Sequence, residues 1–182
     1  MANITLAVTG SISAYKAADL TSQLTKLGHK VTVLMSRSAM DFITPLTLQS
    51  LSKNLVHTDV NVEEDPSLIK HIDIAKETDL FLVAPASAST IAKLAHGMAD
   101  NIVTATALAL PIGIPKLIAP AMNTNMYLNP ATQKNLNTLE EYGFDEVKPQ
   151  EALLACGDFG TGALAEVTDI LEKVSNTLDE KK

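Results

Sequence analysis

One stretch near the start constrains this chain more than any other. Ile4-Thr5-Leu6-Ala7-Val8 runs into the turn Thr9-Gly10-Ser11-Ile12-Ser13, and small and apolar residues then recur at helical spacing from Ala14 to Leu27. A short, β-branched, continuously apolar run is what a parallel strand buried on both faces requires. Gly28 reads as the C′ residue that stops the helix, and Val31 to Leu34 supplies the next strand. Strand, helix and strand in that order predict an α/β fold, a mostly parallel sheet flanked by helices.

Length and composition limit what such a fold can do. A chain of 182 residues, 46% hydrophobic and 19% charged, fits a single domain over residues 1–182 with a well-developed core, and is too apolar for disorder. A formal charge of −7 argues against nucleic acid or an anionic membrane as partner. Phosphate groups must then be met locally, by backbone N–H groups and hydroxyls. One cysteine excludes an internal disulfide and a cysteine-rich metal site, and makes a reducing cytoplasm the expected compartment. No cluster of ligating residues at metal spacing is read, so no metal is expected. Neither an export signal nor an apolar run long enough to span a bilayer is read.

Four further segments place unusual chemistry at strand ends, where open α/β sheets hold ligands. Gly10 to Ser13 offers free N–H groups and hydroxyls at a helix start, although Ser13 as an ordinary N-cap explains it as well. The turn lacks the glycine pattern of a dinucleotide fold and that of a P-loop. Ser13 and Lys16 match S-x-x-K without the companion motifs of a penicillin-recognising enzyme. Met35-Ser36-Arg37-Ser38 again puts hydroxyls after a strand. Met40 to Lys53 reads as a helix interrupted near Pro45, and 54–70 as a polar loop. His71-Ile72-Asp73 opens a short helix before the strand Leu80 to Ala84, where a cap or surface histidine is the ordinary reading.

Ala84-Pro85-Ala86-Ser87-Ala88-Ser89-Thr90 is a small, hydroxyl-rich turn that lets a flat ligand approach the backbone. Ile102 to Leu110 is apolar over most of its surface, which fits a helix packed on all sides or a subunit contact. The run Lys116 to Ala119 ends in Pro120-Ala121-Met122-Asn123-Thr124-Asn125-Met126-Tyr127, a poor core and a poor helix. Asn123 there reads either as a plain turn residue or as a ligand-facing amide. After a helix from Pro130 to Tyr142 and a last strand Phe144 to Val147, Ala155-Cys156-Gly157-Asp158-Phe159-Gly160-Thr161-Gly162 sets the lone cysteine in a glycine-rich loop. A buried thiol is the usual state, but here an exposed one is expected. Ala165 to Leu178 closes the chain as a helix.

Together these segments resemble the flavin-dependent cysteine decarboxylases, a family of homo-oligomeric flavoproteins with a Rossmann-like or flavodoxin-like fold. The resemblance runs from Thr9 to about Glu166. The family's P-x-M-N-x-x-M pattern is matched by Pro120 to Met126, its active-site histidine by His71, and the Ala-Cys-Gly-Asp-x-Gly-x-Gly loop of its coenzyme A pathway members by Ala155 to Gly162. Tyr127 stands where many relatives carry Trp, and Ala163 where larger fused enzymes often carry Arg.

The resemblance implies a stand-alone decarboxylase that uses FMN to convert 4′-phosphopantothenoylcysteine to 4′-phosphopantetheine through a thioaldehyde and an enethiolate. It implies His71 and Cys156 as catalytic groups, the first as base and the second as proton donor. Asn123 would bind the substrate carboxylate and Met126 shape the pocket. Gly10, Ser11, Ile12, Ser36, Ser87, Ala88, Ser89, Thr90 and Ala121 would contact the flavin. It further implies a homotrimer or an assembly of trimers. A peptidyl-cysteine decarboxylase, a flavin prenyltransferase and a non-catalytic regulatory subunit remain as alternatives.

Overall fold

The computed structural model describes residues 1–61 and 69–180. Six parallel strands form one sheet in the order β3-β2-β1-β4-β5-β6. They are β1 (Asn3–Val8), β2 (Lys30–Met35), β3 (Val56–His57), β4 (Leu80–Ala86), β5 (Lys116–Pro120) and β6 (Phe144–Glu146). Two more, β7 (Gln150–Leu153) and β8 (Phe159–Ala163), pair antiparallel as a separate hairpin. The helices are α1 (Lys16–Lys26), α2 (Pro45–Ser52), α3 (Lys70–Glu77), α4 (Ala88–Ala95), α5 (Ile102–Ala109), α6 (Thr124–Leu128), α7 (Pro130–Glu141) and α8 (Val167–Asp179).

The apolar strands are explained by two cores, one on each face. Ile4, Leu6 and Val8 of β1 and Leu80, Leu82 and Ala84 of β4 pack with Leu20 and Leu24 of α1, Leu48 of α2 and Ile170 and Val174 of α8. The alternate residues Ala7, Phe81 and Val83, joined by Ala86 beyond a register shift in β4, pack on the other face with Ile91 of α4, Ile102 and Val103 of α5 and Leu139 of α7. Successive strand residues point to opposite faces, so a strand covered on both must be apolar throughout. β4 is buried at every position.

The chain leaves β1 in opposite directions along the sheet, to β2 and β3 on one side and to β4, β5 and β6 on the other. That reversal opens a crevice at the carboxyl ends of β1 and β4. Buried Thr9 ties the two ends together: its hydroxyl donates to the Pro85 carbonyl at 2.7 Å and accepts from the Ser87 N–H at 2.8 Å.

Several boundaries differ from the sequence reading. Ile12–Tyr15 and Arg37–Asp41 are 3-10 turns, and Pro45 does not interrupt a helix but begins α2 behind the N-cap Thr44. Proline suits that first position, where its missing N–H has no partner to lose. The segment expected as a loop over 54–70 contains β3 paired to β2; its residues 62–68 lie outside those described. Thr124–Leu128 is helical despite its composition, because Asn123 caps it by accepting from the Asn125 N–H at 2.9 Å. The glycine-rich loop around Cys156 belongs to the β7–β8 hairpin.

Candidate active site

A cavity of about 710 Å³ sits at the carboxyl ends of β1, β4 and β5, a size typical of cofactor and ligand sites. Gly10 and Ser11 follow β1, Ser87 and Ala88 follow β4, and Ala121 follows β5; these small residues line it together with Ile12. The Ser11 hydroxyl donates to the Ala121 carbonyl at 3.3 Å and accepts from the Ser13 N–H, so the N-cap of this turn is Ser11 rather than Ser13. Ser87 caps α4 through the Thr90 N–H.

Asn123, Met126 and Cys156 line the same cavity. The Asn123 side chain is divided between two tasks: its Oδ1 caps α6, while its Nδ2 points to the Cys156 Sγ at 3.3 Å. The exposed thiol donates in turn to Asp158 Oδ2 at 3.4 Å. An amide donor and a free thiol therefore meet over small residues at a strand edge.

The β7–β8 hairpin brings the thiol there, and glycine allows it to dock. A Cβ at Gly162 would lie 2.3 Å from the Met122 carbonyl oxygen, and its φ of +152 lies where side chains are rarely tolerated. The same two residues are joined by the Met122 N–H donating to the Gly162 carbonyl at 2.9 Å. Gly160 is pressed against Thr124, whose hydroxyl would lie 2.6 Å from an added Cβ.

Not every expected residue reaches the cavity. Ser36, Ser89, Thr90 and His71 do not line it. The Ser36 hydroxyl pairs with that of Ser38 at 3.2 Å, and Ser38 abuts Gly10 closely enough to exclude any side chain there. Thr90 is buried with its hydroxyl against Ser87. His71 lies in the first turn of α3, and its buried Nδ1 has no hydrogen-bond partner among the described residues.

Conversely, Tyr15, Lys16, Gln150, Leu153, Leu154 and Glu166 line the cavity although no motif in the sequence marks them as site residues. In the sequence Lys16 stands out only through an S-x-x-K match, although its place in the turn of helix behind Gly10 is a usable signal. Its Nζ lies 3.5 Å from Glu166 Oε2. The Gln150 amide, donating to the other carboxylate oxygen at 2.8 Å, and secondarily the Lys16 charge, hold the Glu166 carboxyl below its ordinary range.

A model of a flavoprotein family matches residues 1–179. The chain belongs to the flavoprotein family. A probable phosphopantothenoylcysteine decarboxylase of Streptococcus mutans is 59% identical over 96% of this chain and 98% of its own length. The bifunctional coenzyme A biosynthesis protein CoaBC of Bacillus subtilis is 46% identical over 93% of this chain, which spans only 41% of that larger protein.

Among solved structures, a cysteine-to-serine mutant of a PPC decarboxylase complexed with pantothenoylaminoethenethiol superposes with a TM-score of 0.86 at 32% identity, covering 98% of both chains. The FMN-dependent cysteine decarboxylase SpaF gives a TM-score of 0.86 at 27% identity, covering 99% of this flavoprotein and 97% of SpaF. Among the described residues, no helix of this flavoprotein is long and apolar enough to cross a membrane.

Proposed function

We propose that this flavoprotein catalyses the FMN-dependent decarboxylation of 4′-phosphopantothenoylcysteine to 4′-phosphopantetheine. The observation that carries the reading is the meeting of Asn123 and Cys156 across the cavity floored by Gly10, Ser11, Ala88 and Ala121. The relative that is 59% identical supports this substrate over a peptide.

The small floor, with hydroxyls at Ser11 and Ser87 and free N–H groups at the start of α4, fits a flat phosphorylated cofactor. Gly10, Ser11, Ile12, Ser87, Ala88 and Ala121 would hold FMN, with Ser36, Ser89 and Thr90 supporting them from behind. When bound, FMN supplies a reversible two-electron acceptor, so that the substrate carbon beside sulfur can receive the electron pair left by departing carbon dioxide.

The chain's own groups do the rest. The Asn123 amide N–H holds the substrate carboxylate, and Met126 walls the cysteinyl end. Cys156 would protonate the enethiolate carbon once carbon dioxide has left, and the saturated thiol is completed when the electron pair lent to the flavin returns to the carbon beside sulfur. Asp158 orients that thiol beforehand. His71 is the base at the thiol end. Because His71 does not line the cavity of its own chain, this reading has a second copy bring its own His71, in a homotrimer or an assembly of trimers. The exposed side chains of Ile12, Tyr15, Met126 and Leu153 around the cavity support a cover of that kind. A reducing cytoplasm would keep the working thiol free.

Product analysis of a Cys156→Ser variant tests the assignment. Wild-type holoenzyme is expected to give 4′-phosphopantetheine. The variant is expected to release carbon dioxide yet accumulate the enethiol, lighter than product by two hydrogens. Ordinary product from the variant would rule out the role of Cys156, and a protein inert toward this substrate but active on a cysteine-terminated peptide would move the assignment to the peptide decarboxylases.

A further inference from the structure

The proposed substrate has two anionic ends, and Asn123 accounts for only the carboxylate. We infer that Lys16 receives the phosphate end, making it the residue by which the cavity prefers a phosphorylated arm. The inference rests on the decarboxylase reading above.

Charge narrows the choice. Among the described residues that line the cavity, Lys16 is the sole cation. The chain's single arginine, Arg37, lies in the 3-10 turn after β2 and does not line it, and Ala163 lines it without charge. In a protein of formal charge −7, a dianionic group entering this cavity has one ammonium to meet.

The length of β7 sets the reach between the two groups. Gln150, at the start of β7, donates to Glu166, and Glu166 faces Lys16; beyond the far end of β7 the hairpin turn carries Cys156 to Asn123. β7 has four residues and so runs about 13 Å. The arm from phosphate to cysteinyl carboxylate is about a dozen bonds, roughly four residues of extended chain, or ~13 Å. An arm laid along β7 thus sets one anion at Asn123 and the other at Lys16.

Lys16 is held but not consumed. Its side chain is 22% exposed and its one ionic contact among the described residues is 3.5 Å long, to a Glu166 side chain that is 56% exposed. An ammonium has three donors, and a phosphate dianion competes well against one loosely placed carboxylate. Glu166 therefore orients Lys16 in the free protein and opposes the phosphate, so removing the Glu166 charge should tighten binding of the phosphorylated substrate.

The test is steady-state decarboxylation by flavin-loaded wild-type, Lys16→Gln, Lys16→Arg and Glu166→Gln proteins, on 4′-phosphopantothenoylcysteine and on pantothenoylcysteine without phosphate. Wild type is expected to show a lower KM for the phosphorylated compound. Lys16→Gln should collapse that KM ratio by roughly tenfold, Lys16→Arg should largely keep it, and Glu166→Gln should widen it. Equal KM increases on both substrates, an unchanged ratio, or flavin lost from Lys16→Gln would each overturn the inference, the last by assigning Lys16 to the cofactor. A poorly folded Lys16→Gln transfers the decision to Glu166→Gln, where an unchanged ratio overturns it. Wild type inert on both compounds overturns the decarboxylase reading instead, and is seen before any variant is compared.

Discussion

Asn123 shows how one side chain can satisfy a structural and a chemical demand together. Its oxygen caps α6 and its nitrogen faces Cys156, so two substitutions separate the demands. Asn123→Asp keeps a capping acceptor but replaces the donor with a charge that repels the substrate carboxylate. It should lower decarboxylation by about a hundredfold or more while leaving the thermal midpoint near wild type. Asn123→Ala loses both functions and should also lose about 1 kcal/mol of stability, read from chemical denaturation.

Tyr127 makes a separate point about burial. Its pKa is pushed up to about 12 by burial and then by the neighbouring Glu146 charge, toward which its hydroxyl donates at 3.0 Å. A folded pKa raised above the ordinary value of 10.0 gives stability that is complete below pH 10 and fades as pH climbs toward 12. Unfolding free energies taken across that window should fall for wild type by up to about 3 kcal/mol more than for Tyr127→Phe.

At the scale of elements, the docking of the β7–β8 hairpin depends on two glycines of unequal strictness. Gly162 faces a backbone carbonyl that cannot turn away, whereas Gly160 faces a threonine side chain. Gly162→Ala should therefore lift the hairpin, with activity nearly lost and faster amide exchange over 150–163. Gly160→Ala should cost far less, because Thr124 can change rotamer. Equal losses from both would mean that the hairpin is held by something other than close approach at Gly162. The inner strands β2, β1, β4 and β5 were legible because burial on both faces forces a continuous apolar run, whereas the two-residue edge strand β3, only partly buried, was hidden in a segment that reads as a loop. The hairpin was not: β7 alternates partly buried and exposed residues, and its partner is glycine-rich, so neither carries a strand's apolar signal.

For the whole molecule, the testable question is whether one cavity draws on two copies of the chain. If His71 acts in a neighbour's cavity, Cys156→Ser and His71→Asn proteins, each deficient alone, should regain product formation when their subunits are mixed and reassembled. Absence of recovery in demonstrably mixed assemblies would leave His71 acting within its own chain or not at all. The sequence by itself determined the α/β class, the approximate place of most helices and strands, and the chemically distinctive segments at strand ends. Each of these follows from local periodicity, turn chemistry or short motifs. Only the tertiary structure decided which of those segments meet. It joined Asn123 to Cys156, set Ser36, Ser89, Thr90 and His71 off the cavity lining, and brought Lys16 into it beside Glu166, 150 positions further along the chain. Those juxtapositions arise from the crossing order of the sheet and the closeness two glycines permit, and contacts so distant along the chain leave no periodic trace in it.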